Sequence, residues 1–410
     1  MECGGKRGKR SATPLWLVFV SYPFEDEPLK PKRRRASLAA ALHMAVADVA
    51  DMAKCFLVVL GELQCLTLLI KYLMNTRKPA SHRVRGNLLS LSLAMICGVI
   101  SSCGQKKTDV EKAADGSRTK KIVVGFSQIG AESGWRTANT ESIKSEAAKR
   151  GIDLQFSDAQ QKQENQIKAL RSFIAQGVDV IAFSPVVETG WEPVMQEIKK
   201  AGIPVILSDR AVDVADNSLY VTFIGSDFTE EGRRAANWLA KACGGKAVIA
   251  ELVGTPGSAP AIDRKKGFEE VLAKYPDMKI LKSQSGDFTR AKGKEVMESF
   301  LKSPDAKQIT ALFAHNDDMA LGAIQAMEEA GIRPGKDVLI VSIDGVRGAF
   351  EAMASGKLNC TVECNPLIGP QLFDAAEAVM AKKPLPKRTA VQEGVFEQAQ
   401  AAAELPNRKY

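Results

Sequence analysis

Beyond residue 102 the chain holds one histidine, His315, and no second to pair with it. It contains no Gly-x-Ser-x-Gly elbow, no Walker loop and no cysteine or histidine spacing of a metal site. Those gaps remove the usual nucleophile–base pairs and phosphate cradles, and with them most of the case for an enzyme. Charge of one sign is missing as well. The net charge is +8, but residues 1–102 carry 15 of the 56 lysines and arginines and 7 of the 48 acidic residues, which leaves 41 of each sign for 103–410. A neutral globular part offers no basic face to neutralise phosphates, so a nucleic-acid partner is excluded. Cysteine is sparse there too. Of eight cysteines, only Cys243, Cys360 and Cys364 follow Cys103. Cys360 and Cys364 share one face of an expected strand about 13 Å apart if extended, so a bond between them needs a turn. Each reads as a lone buried thiol.

No apolar run has the full length and purity of a membrane span. Residues 56–70 are apolar but contain Glu62 and Gln64, and a spanning helix needs about 20 such residues. The segment from Arg77 to Lys121 has the order of an export signal. Arg77, Lys78, Arg83 and Arg85 are basic, Leu88 to Ile100 are apolar, and a charged stretch runs from Gln105 to Lys121. Ile100-Ser101-Ser102-Cys103 resembles a bacterial lipobox with Ser102 in place of the commoner Gly or Ala. The reading is therefore 1–73 unassigned, with translation starting downstream near Met74, 74–102 a lipoprotein signal peptide, and 103–120 a lipidated Cys103 with a flexible leash. A plain cleaved signal and a true transmembrane anchor are the alternatives.

From Lys121 short apolar runs alternate with amphipathic ones. Strands are expected at 122–126, 154–156, 178–183, 204–207 and 221–224, then at 247–252, 279–283, 311–313 and 338–342. Helical spacing falls at 140–150, 163–176 and 192–201, stopped by Gly151, Gly177 and Gly202. Such alternation means βαβ units and parallel sheets covered by helices. Two runs, parted near Ser226-Asp227, exceed one sheet and predict two similar α/β lobes.

Ligands of open α/β sheets bind beyond the carboxyl ends of the strands. There the sequence puts Ser127, Glu132, Ser133, Trp135 and Arg136, then Asp209-Arg210, then Asp263-Arg264, Phe288, His315-Asn316-Asp317 and Asp344-Gly345. Any one of these fits a turn or helix cap, and an isolated Asp-Arg dipeptide is more often a solvated loop pair. Together they supply acceptors, forked donors and aromatic faces around one cleft, the chemistry a polyhydroxylated ligand needs.

At these residues the stretch from about Lys121 to Lys387 resembles the periplasmic sugar-binding proteins of the ribose/galactose type, which feed ABC importers, and within them the galactofuranose-binding subgroup. Val124-Gly125-Phe126-Ser127-Gln128 with Glu132, Ser133, Trp135 and Arg136 resembles the subgroup's first ligand loop. Asp209-Arg210 is similar to the family's sugar clamp. Arg264, Asn316, Asp344 and the hinge-proximal Gln371 match further positions, and Phe288 matches an aromatic that packs on the sugar. The resemblance implies two Rossmann-like lobes with parallel sheets joined by a three-stranded hinge (the periplasmic binding protein-like I architecture). Lobe 1 would span about 121–226 and 372–395, and lobe 2 about 227–371 and 396–410. It implies a monomer that closes on one monosaccharide and delivers it to an ABC permease with its ATPase, at the periplasm or the outer face of the cytoplasmic membrane. No cofactor or metal is expected. Asp209, Asp344 and Asn316 would hold hydroxyls, Arg210, Arg264 and Arg136 would donate, and Trp135 and Phe288 would cover the ring faces.

Three rivals stand beside this reading. His315 alone makes a poor catalytic base. A lactose-repressor-type regulator would need a helix-turn-helix where the signal-like segment lies. A sugar sensor that shows its closed form to a membrane kinase or chemoreceptor reads the same lobes, and the sequence does not separate it from transport.

Overall fold

The computed structural model describes residues 121–410, which fall within one compact unit. The expectations for the leading segment, including the signal at 74–102 and lipidation at Cys103, lie outside the described residues.

Two six-stranded sheets form from the predicted alternation. The first contains β1 (Val123–Gln128), β2 (Asp153–Asp158), β3 (Val180–Phe183), β4 (Val205–Ser208), β5 (Thr222–Gly225) and, from far along the chain, β11 (Arg388–Ala390). Its order is β11-β5-β4-β3-β1-β2 and every pairing is parallel. The second contains β6 (Ala247–Val253), β7 (Met278–Ser285), β8 (Ala311–Ala314), β9 (Leu339–Asp344), β10 (Cys360–Glu363) and β12 (Val395–Glu397). It repeats the order as β12-β10-β9-β8-β6-β7, with β12 an antiparallel edge and the rest parallel. β3, β4 and β8 are buried at every position, as strands covered on both faces must be. The lobes are doubly wound α/β units.

In the first lobe the helices are α1 (Gly134–Arg150), α2 (Gln163–Gln176) and α3 (Glu192–Lys200). The second lobe carries α4 (Phe228–Ala242), α5 (Ala259–Leu272), α6 (Arg290–Leu301), α7 (Asp317–Glu329) and α8 (Arg347–Ala354). Gly151 and Gly177 end α1 and α2 with φ of 67° and 64°, the left-handed conformation glycine adopts without cost. One start differs from expectation. α1 begins at Gly134, not Thr140, because Ser133 accepts the Arg136 backbone N–H at 3.1 Å and caps the helix there. Gly, Trp and two Thr in the first two turns hide it in the sequence. Trp135 and Arg136 are thus held on a rigid helix rather than a loop.

Three connections pass between the sheets. β5 leads into α4 through Ser226-Asp227. β10 leads through Cys364-Asn365 to α9 (Gly369–Met380), which packs on α1 of the first lobe. β11 leads through 391–394 to β12. The second crossing therefore lies between Glu363 and Gly369, a little before the 371–372 boundary expected from sequence. Apolar clusters cover both faces of the first sheet, around Phe183, Trp191 and Met195 on one side and Phe126, Ile143 and Phe373 on the other. A single larger core around Phe268, Phe313 and Met327 fills the second lobe. Cys243, Cys360 and Cys364 are free thiols. Among the described residues no helix is long and apolar enough to cross a membrane.

Candidate functional site

Because the two sheets share one strand order, each has its topological switch between a first strand and its neighbour, β1/β3 and β6/β8, and residues that follow the strands of both sheets line one cavity. The lobes close on each other there. A small cavity lies between them, lined by Glu132, Ser133, Trp135, Arg136, Asp209 and Arg210 from the first lobe and by Phe228, Pro260, Arg264, Phe288, Asn316 and Asp344 from the second, with Cys364 at the hinge.

Arg136 is the centre of the first wall. Its Nη2 donates to Asp209 Oδ2 at 2.7 Å and its Nε to Glu132 Oε1 at 3.0 Å. Burial alone would lower the pKa of Arg136, but the charges of Asp209 and Glu132 hold it above the ordinary range. Ser184 Oγ also donates to Asp209 Oδ2, at 3.0 Å. Both bonds fall on one oxygen, so Oδ1 is the oxygen left for a ligand. Arg210 is different. One Nη donates to the Val186 carbonyl at 3.1 Å, while its buried Nε lies 3.8 Å from Asp209 Oδ2 and makes no hydrogen bond. Burial and the like charge of Arg136 push its pKa down to about 10. An unpaired buried donor is costly unless something fills the cavity and accepts from it.

The second wall mirrors this. Arg264 donates from Nε to Glu231 Oε2 at 2.7 Å and from Nη1 to the His315 carbonyl at 2.6 Å, and its Nη2 lies 3.7 Å from Asp344 Oδ1. Burial pushes the Asp344 carboxyl up, with Arg264 opposing. The contact at 3.7 Å is too long for a hydrogen bond, so Asp344 stands ready for a hydroxyl donor. Asn316 caps α7 through Met319 N at 3.0 Å, and its amide donates to the Phe288 carbonyl at 3.1 Å. Its main visible work is to hold Phe288, whose ring lies 5.3 Å from the Arg210 guanidinium carbon.

The backbone here is strained. Asp209, Phe288 and Asp344 have φ of 65°, 61° and 137°, conformations that L-residues rarely adopt outside functional sites. Gly254 explains how the Phe288 ring fits, since a Cβ at that position would stand 1.9 Å from it. Trp135 is fixed by an Nε1 bond to the Cys364 carbonyl at 2.6 Å.

Ten of the twelve sequence-predicted ligand residues line this cavity. Ser127 and Gln371 do not. Ser127 is buried in β1 below the cavity, its hydroxyl without a partner. Gln371 is exposed on the first turn of α9, because that helix starts two residues earlier and turns it outward. On this crossing it is Cys364 that reaches the cleft. Phe228, Pro260, Cys364 and the supporting Glu231 and Ser184 went unread. Phe228 directly follows the Ser226-Asp227 crossing, and Pro260 opens the helix that carries Arg264, so position at a lobe boundary was the available signal. Among the described residues, Glu231, Cys364 and Glu393 put ligand-type atoms within 4.8 Å of one another. The Arg264 guanidinium already occupies Glu231, and a cation would have to enter beside that charge, so this group does not fit a metal.

Known proteins share this fold. The periplasmic binding protein domain matches residues 124–384. The galactofuranose-binding protein YtfQ of Escherichia coli is 53% identical over 291 residues, 70% of this chain and 92% of that one. The solved arabinose-transporter binding protein of Shewanella, bound to α- and β-L-arabinofuranose, is 56% identical with a TM-score of 0.69, over 70% of this chain and 96% of that one. A Mycobacterium smegmatis structure in complex with β-D-fucofuranose is 58% identical with the same TM-score, over 70% and 95%. The matched span, the repeated strand order and the enclosed cleft place this chain in the periplasmic binding protein family.

Proposed function

We propose that the protein is an extracytoplasmic receptor that captures one monosaccharide in its five-membered ring form and hands it to an ABC permease with its ATPase. The observation that carries this is the pair of facing guanidinium–carboxylate sets, Arg136–Asp209 and Arg264–Asp344, with Phe288 between them in a cavity closed by both lobes. Each carboxylate accepts from a ring hydroxyl, Arg210 donates to one, and Trp135 and Phe288 lie on the C–H faces. Closure removes water, so a wrong epimer leaves a buried charge unpaired and is rejected by more than its lost contact. The relatives that bind arabinofuranose and galactofuranose support the furanose ring. The protein acts as a monomer, tethered to the membrane face by a lipid on Cys103 as the signal-like sequence before it indicates.

The test is calorimetric titration of the purified protein, freed of carried-over sugar by unfolding and refolding, with methyl furanosides and pyranosides of L-arabinose and D-galactose. The locked furanosides are expected to bind and the pyranosides to fail. Binding of pyranosides alone would overturn the ring assignment, and binding of none by a folded protein would overturn the sugar.

A further inference from the structure

The three crossings between the lobes meet at one side chain. Glu393, on the third, accepts through Oε1 from the hydroxyl of Ser226 on the first and from the backbone N–H of Asn365 on the second, at 3.0 Å for the latter. Its own carbonyl accepts from Arg234 of α4 at 2.9 Å. Ser226 Oγ also lies 3.4 Å from Cys364 Sγ, and the Ser226 carbonyl accepts from Arg388 of β11 at 3.0 Å. No binding role above uses Glu393.

We propose that Glu393 is a proton-carrying tie of the hinge, and that lobe closure over the sugar takes up a proton there. The reading rests on sugar capture by closure. In the closed form Glu393 faces Glu231 of α4 across Cys364, with all three ligand-type atoms within 4.8 Å. The buried Glu231 bonds Arg264 of α5 through Oε2, and the Cys364 thiol lies beside it. Asp344 at the end of β9 adds a further negative group beside Arg264. On the outer side, Glu363 of β10 accepts the Gly394 N–H at 3.1 Å, and Arg408 and Tyr410 of the chain's last residues cover it. Arg264 is thus the cation that faces the cluster from the cleft, and Glu231 takes its Nε. Glu231 and Cys364 are buried and Glu393 is only partly exposed, and two carboxylates this close in such a site do not both ionise readily. Burial, then the charge of Glu231, pushes the Glu393 carboxyl up to about 8.

Opening changes this environment. Cys364 is part of the cleft wall, and its carbonyl is covered by the Trp135 indole from the first lobe. When the lobes part, water reaches Cys364 and the cleft side of Glu231, and both carboxylates can be hydrated and charged. Closure reverses that. Affinity therefore falls with rising pH between the ionisation of Glu393 in the open and closed forms, by up to tenfold per pH unit.

The experiment is calorimetric titration of the full chain with the methyl furanoside that binds, near pH 7, in buffers of different ionisation enthalpy and with a chelator present throughout. A buffer-dependent enthalpy equal to a fraction of a proton, up to one, taken up per sugar is expected. Glu393→Gln, the shape of the protonated acid, should bind sugar with no uptake at Glu393 and a flatter pH profile. Ser226→Ala, which removes a donor to the carboxylate, should move the fall in affinity to higher pH. Sugar binding with no proton uptake in the unsubstituted protein overturns the proposal. So does uptake that persists unchanged in Glu393→Gln, which would place the proton on Asp344 or Glu231. Should Glu393→Gln not fold, the pH midpoint in Ser226→Ala decides alone. Failure of every sugar to bind is a separate result and bears on the receptor reading.

Discussion

The backbone N–H of Gly134 lies 2.7 Å from Asp318 Oδ2, and the two residues belong to different lobes. Asp318 sits in the first turn of α7 and Gly134 opens α1, so two helix N-termini share one carboxylate across the mouth of the cleft. Arg290 holds the other oxygen at 2.8 Å. A second bond between the lobes, from Glu188 N to the Gly257 carbonyl at 2.9 Å, closes another edge. Asp318 is not among the residues that line the cavity.

Asp318→Ala should therefore weaken closure without touching the sugar. A hydrogen bond to a charged group contributes about 1.5–3 kcal/mol, so affinity for every bound sugar should fall about ten- to a hundredfold with the ranking of sugars unchanged. Calorimetry across the furanoside panel reads this out. A changed ranking would mean that Asp318 reaches the ligand.

Asp209→Ala removes both a ligand acceptor and the counter-charge of a buried arginine. Arg136 is 2% exposed and would keep only Glu132 as an ionic partner. Breaking a buried pair costs about 3–5 kcal/mol, so a lower melting temperature and loss of detectable sugar binding are both expected. Binding that survives with an unchanged melting temperature would show that Asp209 is neither clamp nor counter-ion.

Gly254→Ala tests the seat of Phe288. The added Cβ would overlap the ring, and overpacking of this kind costs about 1–3 kcal/mol. Stability should drop and affinity should fall at least tenfold. Adding Phe288→Ala to the same chain should recover stability but not affinity. If the double variant regains sugar binding, Phe288 does not face the ligand.

The lobes and strand ends were legible because buried parallel strands are short apolar runs, and the residues after them are charged in a chain otherwise punctuated by glycine. Asp209, Arg210, Arg264 and Asp344 stand out on that pattern alone. Distance along the chain hid the rest. Ser226, Cys364 and Glu393 come from three separate crossings and meet only because the chain passes between the lobes three times. Glu231 reads as an ordinary charged position on an amphipathic helix, and only the packing of α4 on α5 brings it to Arg264. Gln371 lies outside the cavity for a local reason: the α9 start two residues ahead rotates it to the outside.

His315 has a structural task, and acid should reveal it. Glu251 on β6 is fully buried, with Oε1 3.2 Å from His315 Nε2 and Oε2 2.7 Å from Lys265 Nζ, and with Ser283 donating as well. Burial alone would raise its pKa, but these donors pull it down to about 2 from 4.5. A carboxyl lowered on folding stabilises the protein fully above its unfolded value, and that contribution is lost as pH falls from about 4.5 through about 2. A shift of this size corresponds to roughly 3 kcal/mol. His315 is itself lowered by burial from 6.5, so the unfolded chain takes up that proton first and stability begins to fall below about pH 6.5. In chemical denaturation followed from about pH 6 to pH 3, Glu251→Gln should start less stable and then lose the steep part of the decline below about pH 4.5, while keeping the shallower part due to His315. An acid profile parallel to that of the unsubstituted protein would mean that Glu251 is not the group being protonated. Sugar binding near neutral pH should change little in this variant, because the Glu251–His315 pair lies outside the cavity.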